Sequence, residues 1–257
     1  MWECLKLQRL DKLIATQAGL TRSEAAAAIR QGRVRVGDAL CRDAARKLDP
    51  QAETVSLDGR ALTFREHICL MLNKPAGLLC VSRDPRVPTV TDLVPAEWGH
   101  RGLSPAGRLD KDSTGLVLLT DDGDLCHRII TPHHEVCKRY RVRVDAPVTP
   151  AIIEAFASGI TLSDGTVCRP AGLRLLEDGP EPLTEVAICE GRYHQIKRMF
   201  GTCGCGVLSL KRTAIGSLRL DPTLAEGACR LMTEEEIASV FFRDAAYMGK
   251  YYHYLTN

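Results

Sequence analysis

An α+β fold in two domains is what the sequence predicts, and three observations lead there. Helix-patterned and strand-patterned segments mix along the chain without the regular alternation of a doubly wound fold, so the larger domain should hold a largely antiparallel, mixed sheet. A length of 257 residues suits one or two domains. A polar, turn-rich stretch between Asp49 and His67 separates a short basic segment from the remainder. The expected division is residues 1–65, then 66–242, with 243–257 as a tail.

Composition sets the outer bounds. Hydrophobic residues make up 45% and charged residues 26%, ordinary globular values that exclude disordered and fibrous classes. The net charge of +2 carries no whole-chain signal for nucleic acid, so any such signal must be local. No stretch of about 18 apolar residues occurs, and the first residues lack a basic segment followed by an apolar run, which leads to the expectation of a cytoplasmic protein with no membrane partner. Eleven cysteines, an odd number without repeated spacing, are expected to stay reduced. Cys126, His127, His133, His134 and Cys137 invite a zinc reading, but the segment lacks Cys-x-x-Cys and no metal is expected.

The elements follow in order. Between residues 9 and 47, nine Arg or Lys stand against four acids, a local charge of +5. Leu10, Leu13 and Ile14 recur at helical spacing, and Thr21 with Glu24 fits a capping box that opens a second helix. Gly32 stops that helix, and Arg33-Val34-Arg35-Val36 alternates before the Gly37-Asp38 turn, a strand signal. Arg22, Arg30, Arg33 and Arg35 therefore gather at one helix–strand junction, where they could converge on a phosphate backbone. This pattern, carried by residues 9–13, 23–25 and 31–36, resembles the S4 RNA-binding module. The resemblance implies a structured-RNA partner but names no reaction.

Beyond the polar stretch, Ile68 to Leu72 is a compact apolar run, read as a buried strand and closed by Asn73-Lys74-Pro75-Ala76-Gly77. Further strands are expected at residues 115–120, 139–144 and 183–189, and an amphipathic helix from Pro150 to Ser158, ended by Gly159.

The stretch Gly107-Arg108-Leu109-Asp110-Lys111-Asp112-Ser113-Thr114-Gly115 is a polar loop delivering into an apolar strand. It offers what a nucleophilic carboxylate requires: a rigid support, nearby cations and a turn that presents it. Taken alone, Asp110 and Asp112 also read as caps of a turn, the commoner role for Asp beside Ser, Thr and Gly.

This loop resembles the catalytic motif of pseudouridine synthases, whose essential aspartate falls at Asp110. Three more of the family's motifs are present in the family's order: the Lys-Pro-x-Gly strand end at Lys74 before the loop, and after it the basic-aromatic strand Lys138-Arg139-Tyr140-Arg141-Val142 and the segment Glu190 to Phe200 containing His194-Gln195-Ile196-Lys197-Arg198. Pro88-Thr89-Val90 and Thr131-Pro132-His133-His134 point to the small-subunit branch. The resemblance implies isomerisation of a uridine in 16S ribosomal RNA, at uridine 516. Acting on 23S RNA, or binding RNA without catalysis as an assembly factor, remain alternatives.

By the same resemblance Asp110 is the essential carboxylate, Tyr140 stacks on a flipped base and assists proton removal from C5, and Lys197 pairs with Asp110 to keep it ionised. Arg108 would hold a phosphate or fill the gap left by the flipped nucleotide. Lys74, Arg192, His194 and Arg198 are expected to contact RNA with the four N-terminal arginines. No metal or cofactor is implied, and the expected form is a monomer acting on free RNA or on a 30S assembly intermediate.

Overall fold

The computed structural model describes residues 7–131 and 136–242. Of the features singled out above, the first six residues, Pro132, His133, His134 and the tyrosine-bearing tail from 243 onward lie outside the described residues. The chain forms two units, one taking residues up to His67 together with Pro95–Gly102, the other starting at Ile68 and holding the rest.

In the first unit, β1 (Gln8–Arg9) precedes α1 (Leu10–Ala18) and α2 (Arg22–Arg30). Leu10, Leu13 and Ile14 are buried on α1 as their spacing predicts, packing with Ala25 and Ile29 of α2 and with Val34, Val36 and Val55. The Thr21–Glu24 capping box is present in both directions. Then come β2 (Val34–Val36), β3 (Ala39–Leu40), β4 (Lys47–Leu48), β5 (Val55–Leu57) and β6 (Arg60–Leu62). β3, β2, β5 and β6 make a four-stranded antiparallel sheet, while β1 pairs with β4. Residues 95–102 join this unit because Arg101 donates to the carbonyls of Arg65 and Glu66 (3.2 and 3.0 Å) and the His100 ring meets the Thr16 carbonyl at 2.8 Å.

The second unit is built on a mixed sheet. Its strands are β7 (Cys69–Lys74), β8 (Ser104–Pro105), β9 (Thr114–Thr120), β10 (Lys138–Val144), β11 (Gly172–Glu177), β12 (Leu183–Ile188), β13 (Val207–Ile215), β14 (Leu218–Arg219) and β15 (Cys229–Leu231). The main order is β11-β12-β10-β13-β9-β7-β15, with β8 beside β9 and β14 beside β13. The β13–β9 contact is parallel and the other pairings of this sheet are antiparallel. This is the α+β architecture that the irregular mixing of helix and strand signals predicts.

Every residue of β7 is buried, and so are residues 115–120 of β9, so both faces of these central strands are covered and no alternation is visible in their sequences. Cys69, Met71, Leu116 and Leu118 pack under α3 (Gly123–Ile130) and beside Val240, which follows α6 (Glu234–Ser239). Phe156 of α4 (Pro150–Ser158) meets Phe200 of α5 (Gln195–Thr202) with ring centroids 4.8 Å apart. α4 spans the expected residues, since Pro150 supplies the preset first turn and Gly159 ends it.

One expectation about the cysteines is corrected. Cys137 and Cys189 are joined by a disulfide, because Lys138 of β10 pairs with Ile188 of β12 and the two cysteines face each other one residue beyond. Their separation of 52 residues hides this pairing in the sequence.

Candidate active site

Residues 107–114 form a loop whose carbonyl groups turn inward onto two buried cations. Lys74, the last residue of β7, has no exposed surface. Its ammonium donates to the carbonyls of Pro75 (3.0 Å), Asp110 (3.2 Å), Lys111 (3.2 Å) and Ser113 (2.8 Å). Burial pulls the amine below the ordinary lysine value. The expectation that Lys74 meets RNA is therefore corrected: its ammonium is buried against the carbonyls of Pro75 and of the loop, with no surface left to offer a phosphate.

Arg212 of β13 is the second cation. Its Nε donates to the Leu116 carbonyl at 2.7 Å and Nη1 to the Arg108 carbonyl at 3.4 Å, so one guanidinium ties both flanks of the loop. β13 approaches β9 in parallel register with Arg212 beside Gly115. Gly115 has a φ of +98°, and a Cβ there would lie 2.2 Å from the Arg212 carbonyl oxygen, so only glycine fits. Sequence reasoning gave Arg212 no role; a lone arginine inside an apolar-rich stretch carries no motif.

So anchored, Asp110 presents a carboxylate whose side chain is one quarter exposed, with Lys197 Nζ at 3.2 Å and His194 Nε2 at 3.5 Å. The expected Lys197–Asp110 pair is present, but Lys197 is shared. Asp112 lies closer, its two oxygens accepting from Nζ at 2.6 and 2.8 Å. Desolvation works to lower the Lys197 value, and hydrogen bonds to Asp112 and Asp110 outweigh it, leaving the amine above the lysine norm. The same Lys197 hydrogen bond holds Asp112 below the usual carboxylate range.

Lys197 projects from α5, and a buried polar pair shapes the turn entering that helix. Gln195 donates from Nε2 to Glu190 Oε1 (2.7 Å) and accepts the Arg192 amide hydrogen at Oε1 (3.0 Å). Glu190 also accepts from the Arg169 amide (2.9 Å) and pairs with the Arg192 guanidinium at 3.2 Å. This leaves His194 at the helix N-cap in a left-handed conformation, φ 49° and ψ 32°. Glu190 and Gln195 stood in the motif without an assigned task; their task is to set this turn.

Tyr140 lies on β10, nearly buried and in register with Arg212 on one side and Val186 on the other. β13 thus separates the tyrosine strand from the loop strand. Lys138, two residues earlier, is half-buried, and its amine is pushed down to about 8 by desolvation and by the charge of Arg212. Arg108 is exposed, as is Arg192, while Arg198 pairs with Asp164 at 2.6 Å.

In the first unit Arg22, Arg30, Arg33 and Arg35 are all exposed. Arg33 makes a 2.5 Å pair with Asp58, Arg35 donates to the Asp38 carbonyl, and Arg22 lies 3.5 Å from Asp11. Arg22 opens α2 at the end away from β2, so only Arg30, Arg33 and Arg35 stand at the helix–strand junction, and the charge available there is less than the arginine count. Among the described residues, no three His, Cys, Asp or Glu side chains gather as a metal site would need.

The family model described as RNA pseudouridylate synthase matches residues 68–202, and that of the S4 domain matches residues 8–53. The chain is 45% identical over 237 residues to ribosomal small subunit pseudouridine synthase A of Escherichia coli strain K12, covering 90% of this chain and 99% of that protein. The Haemophilus influenzae protein of the same name is 41% identical over 230 residues, covering 89% of this chain and 97% of its own. A crystal structure of a pseudouridylate synthase superposes with a TM-score of 0.64 at 40% identity, over 90% of this chain and 99% of the other.

Proposed function

Because the chain belongs to the RNA pseudouridylate synthase family, and is therefore an isomerase, we propose that it converts one uridine of small-subunit ribosomal RNA to pseudouridine, at uridine 516 of the 16S molecule. The near full-length likeness to two proteins named for the small subunit supports the substrate. The observation that carries the chemistry is the Asp110 carboxylate on its anchored loop, 3.2 Å from Lys197.

The reaction breaks the N1–C1′ bond and forms C5–C1′; a proton leaves C5, N1 ends protonated, and nothing is oxidised or reduced. Asp110 is the essential carboxylate, paired with the Lys197 ammonium at 3.2 Å. The target must leave the helical stack at a cost of a few kcal/mol. Tyr140 offers the flipped base a ring and a hydroxyl near C5, while Arg108, exposed beside the loop, takes a phosphate or the vacated space. The first unit, with Arg22, Arg30, Arg33 and Arg35, grips RNA through phosphates, and Arg192, His194 and Arg198 extend that grip at the active site. The protein works as a monomer in the cytoplasm, on free RNA or a 30S assembly intermediate.

The test is incubation of the wild type and Asp110→Asn with 16S and 23S transcripts and 30S precursor particles, with pseudouridine mapped at single-nucleotide resolution. One new site in 16S RNA with the wild type and none with the variant is expected. A site in 23S RNA overturns the substrate assignment, and an active variant overturns the role of Asp110.

A further inference from the structure

Tyr193 is an aromatic residue left in solvent at the edge of the candidate site. Its relative exposure is 73%, and its ring lies on that of His194 with centroids 3.9 Å apart and planes 16° from parallel. His194 in turn brings Nε2 to 3.5 Å from an Asp110 oxygen. Two flat rings therefore lead outward from the carboxylate, and the outer one has most of its surface in water.

A single exposed aromatic residue is ordinary on a protein surface and by itself means little. The backbone beneath this one is not ordinary. His194 sits at φ 49°, a left-handed conformation that costs a residue with a side chain about 1 kcal/mol or more. The Arg192–Gln195 and Gln195–Glu190 hydrogen bonds hold it there. That turn is what stacks the adjacent side chains in parallel, because successive residues of an extended strand point to opposite faces.

We propose that Tyr193 is a stacking platform for a nucleobase flanking the target uridine, a residue that positions RNA without taking part in bond making. This rests on the function proposed above. Flipping the uridine strips its neighbours of a stacking partner, and an aromatic face replaces that contact regardless of base identity. The imidazole covers one face of the tyrosine ring and leaves the other for the base, so the flanking nucleotide would be held two rings from Asp110.

The experiment uses the full-length protein with Tyr193→Phe and Tyr193→Leu, and a small-subunit RNA fragment containing the mapped uridine. 2-Aminopurine is placed on either side of that uridine. Loss of one ring's stacking should raise Kd and KM about tenfold in the leucine variant, with the single-turnover rate at saturation within about threefold of wild type. The phenylalanine variant should match wild type, and 2-aminopurine fluorescence should be quenched at one flanking position with tyrosine or phenylalanine but not with leucine. Unchanged Kd and quenching in the leucine variant would overturn the platform while leaving the enzymatic reading intact. A fall in the saturated rate alone would move Tyr193 into the chemistry and equally overturn it. A wild type that modifies no RNA would sink the functional reading and this proposal with it.

Discussion

The Lys74 ammonium shows how one residue can decide the shape of a loop. Four carbonyl oxygens surround it within 3.2 Å, three of them from the stretch that carries Asp110. A neutral side chain of similar length would fill the space and leave those carbonyls without their buried donor. Lys74→Met is therefore expected to destabilise the second unit by roughly 2–4 kcal/mol, read from denaturant unfolding. It should also reduce turnover, since the loop loses its anchor. RNA affinity answers a separate question. A lysine that touched phosphate would contribute close to one to the slope of log K against log salt; a buried Lys74 predicts an unchanged slope, and a drop of about one would restore the RNA contact.

At the level of elements, the parallel contact between β13 and β9 is the tightest constraint near the site. Gly115→Ala would set a Cβ 2.2 Å from the Arg212 carbonyl while demanding φ +98° of alanine. Separation of the two strands is the expected result, with a loss of roughly 3 kcal/mol or more in unfolding free energy; a variant of wild-type stability would mean the strands can part cheaply. β7, β9 and α4 were legible in the sequence because continuous apolar runs and a Pro–Gly bracket mark them. β13 was not. Its Val207–Ile215 stretch alternates poorly, since the β10–β13 ladder is broken between Arg139 and Tyr140 and between Arg143 and Val144, which shifts the faces out of a period of two. Arg212 was hidden for the same reason, because an arginine in an unrecognised strand looks like surface. Asp110 and Lys197 were legible through their motifs, whereas the Asp112 share of Lys197 depends on a contact across 85 residues that no local pattern encodes.

For the molecule as a whole, a net charge of +2 hides an uneven distribution. The second unit buries Lys74, Arg139 and Arg212 and half-buries Lys138, with the Arg212 charge acting on both lysines, and this makes its stability depend on pH in the alkaline range. Lys138 carries its proton in the folded chain only below about 8, against an ordinary value of 10.5. Between those two values Lys138 binds its proton more in the unfolded chain than in the folded one, so this lysine's contribution to stability rises with pH across that window. Below about 8 both states are protonated and the full penalty of a desolvated charge beside Arg212 is present. Lys138→Met removes that penalty at every pH. The variant should therefore melt higher than wild type at pH 7, and its advantage should shrink steadily from pH 8 to pH 10 as the wild-type lysine sheds its proton on folding. Other groups that titrate in this range are common to both proteins and cancel in the difference. Parallel melting curves across pH 7–10 would mean that Lys138 keeps its water in the folded state and that the burial assigned to it is wrong.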